Sequence, residues 1–103
     1  MNISSAIILS RGAERTFSRS NGSTVKSRQV EIKWEEMGQN GPYGQSLVGD
    51  VVGEVNDERI AACMETKAEI SCSVTFHTRE YQGKLYNSVN IRLQRDLYAE
   101  TGK

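Results

Sequence analysis

Ala68-Glu69-Ile70-Ser71-Cys72-Ser73-Val74-Thr75-Phe76-His77-Thr78-Arg79-Glu80-Tyr81-Gln82-Gly83-Lys84-Leu85-Tyr86-Asn87-Ser88-Val89-Asn90-Ile91-Arg92-Leu93-Gln94-Arg95 is the stretch that decides the fold. From Ala68 to Phe76 every second residue is small or apolar and those between are polar, the pattern of a strand with one buried face. Leu85, Val89, Ile91 and Leu93 repeat it after the turn. Gly83 can supply the positive φ of a tight hairpin. With Gln82-Gly83 as a two-residue turn, Phe76 faces Val89, Val74 faces Ile91 and Cys72 faces Leu93, so every apolar residue lands on one face. The opposite face pairs Arg79 with Tyr86 and His77 with Ser88, placing an aromatic ring and a cation near the turn.

Working back along the chain, Ile3 to Ser10 holds Ile7, Ile8 and Leu9 and reads as a first strand. Arg11 to Thr24 mixes Arg11, Arg15 and Arg19 with Phe17 and ends on Ser20-Asn21-Gly22-Ser23, a turn signal, so a basic hairpin is expected there. Thr24 to Glu35 is a second strand with Val30, Ile32 and Trp34 on one face. A bulge near Ser27 would bring Val25 to the same face. Met37 to Gly44 has three glycines and the chain's single proline and reads as a loop. Gln45 to Val55 is a third strand, with Gly49 and Gly53 marking bends at a barrel corner. Asn56 or Asp57 can cap a helix to about Lys67 with Ile60, Cys63, Met64 and Lys67 on one face.

Three strands, a helix and two strands predict a mainly β protein, a five-stranded Greek-key barrel of the OB type with the helix between strands three and four. A chain of 103 residues makes one domain. The barrel is expected over 1–97 and a frayed tail over 98–103. No apolar run is long enough for a membrane span or a signal peptide, so the expected setting is the cytoplasm, without membrane partners. Cys63 and Cys72 lack metal spacing and read as reduced core residues.

Thirteen basic and thirteen acidic side chains cancel overall but not locally. Residues 1–33 hold six Lys/Arg against two Glu, 34–70 hold two against eight acids, and 71–103 hold five against three. The basic ends suggest one cationic surface. Catalysis finds little material: His77 is a lone surface histidine, and no nucleophile elbow, phosphate-binding glycine loop or carboxylate pair at useful spacing occurs. Asp57 and Glu58 suit a helix start. A non-enzyme without cofactor or metal is expected.

Two stretches carry a resemblance. Residues 2–34, with Ile8-Leu9-Ser10-Arg11-Gly12, Arg15, Asn21-Gly22-Ser23, Val25, Val30, Ile32 and Trp34, resemble the opening hairpin of bacterial single-stranded DNA-binding proteins. Arg79-Glu80-Tyr81-Gln82-Gly83-Lys84-Leu85-Tyr86-Asn87 resembles the final hairpin of a small bacterial family of unknown function that is itself similar to those proteins. The resemblance covers about half the chain. It implies an OB fold, single-stranded DNA as ligand and an accessory role in replication or repair. Ala99-Glu100-Thr101-Gly102-Lys103 lacks the acidic tip through which such proteins recruit partners, so strand binding without tail-mediated recruitment is expected.

In an OB barrel the ligand crosses strands two and three between the loop joining strands one and two and the loop joining strands four and five. Arg11, Arg15, Phe17, Arg19, Lys26 and Arg28 would form one jaw, and Arg79, Tyr81, Lys84 and Tyr86 the other. Trp34 and Tyr43 are further stacking candidates. Cations neutralise phosphates, and each aromatic face contributes about 1–3 kcal/mol by stacking on a base. Single-stranded DNA, or RNA, is thus the expected partner, bound with little sequence preference. The competing reading is a protein-interaction module, since Glu35, Glu36, Asp50, Glu54, Asp57 and Glu58 would repel phosphates and little protects the strand edges. A homo-oligomer is expected on either reading, since such barrels pair through their strand edges.

Overall fold

In the computed structural model, which describes residues 1–18 and 20–98, the hairpin expected between Ala68 and Arg95 pairs in its expected register. β4 (Ile70–Tyr81) and β5 (Lys84–Leu93) run antiparallel with Phe76 opposite Val89, Val74 opposite Ile91 and Cys72 opposite Leu93. Gln82 and Gly83 sit at φ 51° and 78°, both positive, the type I′ geometry whose twist matches the strands it joins. Cys72, Val74, Ile91 and Leu93 are buried, while Phe76 and Leu85, on the same face nearer the tip, are 60% and 69% exposed. The alternation is right throughout, but the barrel covers only its lower half.

β1 (Asn2–Ser18), β2 (Thr24–Gly38) and β3 (Gly41–Val52) precede the helix, and the strands close in the order β1-β2-β3-β5-β4. That order, with the helix between β3 and β4, is an OB-type barrel. β1 pairs with β2 along most of its length and, near its start, with β4, where Ile3 faces Cys72 and Ala6 faces Ile70. Register shifts between Ile3 and Ala6, Ile8 and Ser10, and Arg11 and Glu14 let this single strand bend through both halves of the barrel. The bulge expected near Ser27 lies here instead: β2 pairs with β3 without a break from Ser27 to Gly38, so Val25 keeps the opposite parity to Val30 and is only half-buried. The core holds Ile8, Val30, Ile32, Val51, Val74 and Ile91, each worth about 1.5–3 kcal/mol when removed from water.

Met37 to Gly44 is not a loop. Glu36 pairs with Tyr43, Met37 with Pro42 and Gly38 with Gly41, so the glycines make a tight hairpin around Gln39-Asn40. Pro42 is tolerated because it is the second residue of its strand. Gly49 marks a close approach and not the expected bend, since the β2–β3 ladder runs through it without a break. It sits where β3 meets β5, and a Cβ there would lie 2.9 Å from two atoms of Ile91 and 3.0 Å from one of Val89.

α1 (Asp57–Thr66) starts on Asn56, whose side chain accepts from the Arg59 amide at 3.2 Å, and ends on Lys67 in the left-handed conformation. Ile60 is buried and Cys63 and Met64 pack beside it, plugging one end of the barrel. Both cysteines are free. At the same end a short 3-10 turn (Arg95–Leu97) buries Leu97, whose carbonyl accepts from the Asn56 amide at 2.8 Å.

The one β3–β5 bridge, Asp50 with Asn90, leaves the lower part of β5 without a strand neighbour on that side. Tyr98 fills the place. It bridges to Val55, and its hydroxyl accepts from the Leu93 amide at 3.0 Å. The frayed tail expected over 98–103 therefore does not include Tyr98, and its remainder, 99–103, lies outside the described residues. The three hairpins project from the barrel, which gives a radius of gyration of 15.2 Å against about 13 Å for an ordinary domain of this length.

Tyr98→Phe is expected to leave the Leu93 amide unpaired and to cost about 1–3 kcal/mol, measured by urea denaturation. Burial pushes the Tyr98 hydroxyl above its ordinary value of 10.0, although the Leu93 amide and nearby Arg92 pull the other way. The neutral ring is therefore the form the fold prefers. Its contribution is complete below pH 10.0 and lost as the pH climbs past that value, so wild-type stability should fall more steeply there than that of Tyr98→Phe.

Candidate nucleic-acid interface

With Cys72, Val74, Ile91 and Leu93 turned inward, the alternate positions of the third hairpin face outward. Opposed pairs on that face are Ser73 with Arg92, Thr75 with Asn90, His77 with Ser88, Arg79 with Tyr86 and Tyr81 with Lys84. Three permanent cations, two tyrosines and a histidine thus share a surface with no carboxylate among them. The tyrosines are 61% and 52% exposed. Arg79 lies directly opposite Tyr86, within the roughly 5 Å at which cross-strand side chains interact. Ion pairs among the described residues occupy Arg11, Arg28 and Arg59, leaving Arg79, Lys84 and Arg92 to solvent.

The first hairpin is different. β3 and β5 run parallel, so the tips of the second and third hairpins share one end of the barrel, while the first hairpin lies at the helix end. Arg28, with its side chain 18% exposed, donates to the Gly12 carbonyl at 2.9 Å, to Asp57 Oδ2 at 3.0 Å and to Glu14 Oε2 at 3.4 Å. Arg11 donates to the Asp57 carbonyl at 3.2 Å and lies 3.5 Å from Asp57 Oδ1. Both arginines anchor the hairpin to the helix start, where Asp57 also suits the dipole. Arg15 and Lys26 are exposed, Phe17 pairs with Val25 in the ladder, and Arg19 lies outside the described residues. The two expected jaws therefore do not stand side by side.

On the second hairpin one carboxylate holds two rings. Trp34, half-buried against the core, donates from Nε1 to Glu36 Oε1 at 2.9 Å, and Tyr43 donates from its hydroxyl to Glu36 Oε2 at 3.0 Å. Trp34 and Glu36 share the inward parity of β2 with Val30 and Ile32. The outward parity carries Glu31, Lys33 and Glu35, with Asp50 and Val48 from β3. The face an OB ligand was expected to cross is thus predominantly acidic. Sequence reasoning passed over Arg92, although its place in the same alternation as Tyr86 would have found it.

No family model matches the chain, and no curated protein matches it. Among solved structures it is similar to the crystal structure of a small single-stranded DNA-binding protein from Streptomyces coelicolor, at 10% sequence identity and a TM-score of 0.41, over 90% of this chain and 88% of that one.

Arg28→Met removes the half-buried hub of the helix-end network and should lower stability by about 2 kcal/mol. Arg15→Ala, with no partner to lose among the described residues, should stay within about 0.5 kcal/mol. Urea melts of the two variants check the contrast.

Proposed function

We propose that the protein binds single-stranded nucleic acid, DNA in the first instance, with little sequence preference, through the outer face of the third hairpin. The observation that carries this reading is that Arg79, Lys84 and Arg92 alternate with Tyr81 and Tyr86 on one exposed surface free of carboxylates. Phosphates meet the cations and unstacked bases meet the rings, neither of which reads sequence. Lys26 and Arg15 of the first hairpin add a distant, weaker cationic patch. Trp34 and Tyr43 belong to the second hairpin, where Glu36 engages their polar atoms, and are not part of this face.

A labelled oligo(dT) followed by fluorescence anisotropy tests this. Binding should be tight at about 50 mM salt and weaken steeply as salt rises. Arg79→Ala with Lys84→Ala should flatten the logarithmic salt slope by about 1.4, at about 0.7 per phosphate on a single strand. Tyr86→Ala should cost about 1–3 kcal/mol with the slope unchanged. A wild-type protein that binds no oligonucleotide at low salt overturns the reading, as does a triple Arg11, Arg15 and Arg28 variant, still folded, that loses more affinity than the hairpin variants.

A second reading rests on a different observation. Among the described residues β4 beyond Val74 has β5 on one side and no strand on the other, since β1 reaches it only as far as the pair of hydrogen bonds between Met1 and Val74. Beside that edge Phe76 and Leu85 are exposed on the inward face. An open edge with an apolar flank favours self-association. Light scattering at tens of micromolar should give more than the 11.5 kDa monomer mass, and Phe76→Glu should restore the monomer. A monomeric wild type removes this reading and leaves the first intact.

A further inference from the structure

We propose that the bound strand bypasses the β2–β3 face and runs from the third hairpin down the outside of β4 and β5 into a groove at their base, where Arg92 and Arg95 take its phosphates. This rests on the binding reading above and gives it a path. The groove has a volume of about 1240 Å³ and opens across the start of β1 and the lower halves of β4 and β5. Its position follows from the alternation: Tyr81 with Lys84, Arg79 with Tyr86 and His77 with Ser88 lead directly to Thr75 with Asn90 and Ser73 with Arg92, which line it. Arg95, the first residue of the 3-10 turn, lines its lower end.

The chemistry of the lining selects the ligand. Ser73, Thr75 and Asn90 make no side-chain hydrogen bond among the described residues, and neither arginine is ion-paired there. Among the described residues no carboxylate lines the groove. Unpaired donors and two fixed positive charges fit the phosphodiester backbone, whereas a cation would find no charged ligand. Electrostatics on the other side closes the usual route. Asp50, opposite Asn90, marks the border, and beyond it Glu31 and Glu35 outnumber Lys33. A strand leaving the hairpin thus meets repulsion toward β2 and attraction toward β1. From Lys84 to Gln94 the track is about 33 Å long at 3.3 Å per residue, a length that suits the several nucleotides an OB barrel holds.

Anisotropy titrations with a labelled oligo(dT) of about 20 nucleotides, on the full chain at about 50 mM salt, separate the possibilities. Arg92→Gln with Arg95→Gln should weaken binding roughly ten-fold and flatten the salt slope by about 1.4, whereas Lys33→Gln should change neither. Amide NMR shifts on the unmodified protein give an independent measurement, with Ser73, Thr75, Asn90 and Arg92 expected to move on oligo(dT) addition and Glu31, Lys33, Ser46 and Val48 to stay. Binding by the wild type with shifts confined to the hairpin tip, Arg79 to Tyr86, or an Arg92/Arg95 variant that retains affinity and slope, overturns the path while leaving the proposed function to rest on Arg79, Lys84, Tyr81 and Tyr86; shifts confined to β2 and β3 overturn both. A wild type that does not bind overturns both.

Discussion

Closure of this barrel depends on the close crossing of β3 over β5. The two strands share the single bridge between Asp50 and Asn90, and Gly49 permits it because Ile91 and Val89 occupy the space where a side chain would stand. Even a methyl group there would force Ile91 of the core to move and press on Val89, at a cost of order 1–3 kcal/mol. Everything else is arranged around this short contact. β5 can reach β3 only briefly before it diverges, so Tyr98 is required to satisfy the amide that β3 cannot. The divergence also shapes the surface, since the hairpin of β4 and β5 projects beyond the barrel above the crossing and the groove opens below it.

Much of this was legible in the residues themselves. The β4–β5 register followed from a period of two and a two-residue turn, because a slip by one residue would have exposed Val74 and Ile91. The helix was legible from Asn56 and the spacing of Ile60, Cys63 and Met64. The second hairpin was misread: glycine and proline over Met37 to Gly44 signalled irregular backbone, yet the ladder from Ser27 to Met37 carries on through them because it gains a partner at every step. β1 extends to Ser18 for the same reason, since pairing with β2 overrides the polar local sequence.

The site was less legible than the fold, for an electrostatic reason. Counting charges along the chain grouped Arg11, Arg15 and Arg28 with the cations of the last hairpin, but sequence proximity does not reveal which charges will neutralise one another. Asp57 lies in the acidic middle third and is brought onto Arg11 and Arg28 by the fold. Glu31, Glu35 and Asp50 stay outward, with no ion pair among the described residues, on the surface assigned to ligand. The third hairpin keeps its cations, because its one acid, Glu80, has the opposite parity to Arg79, Tyr81 and Lys84.

The bond between the first residue's ammonium and the Val74 carbonyl spans 73 positions of sequence. The three hairpins, by contrast, join neighbours and can each form within roughly 1–10 μs. Sealing the cylinder must then bring Met1 to Val74, Asp50 to Asn90 and Val55 to Tyr98, and each closure gives up the freedom of a long intervening chain. Folding is accordingly expected on the millisecond-to-second scale of high-contact-order β proteins. During that interval the third hairpin is already assembled while the cylinder beneath it is still open.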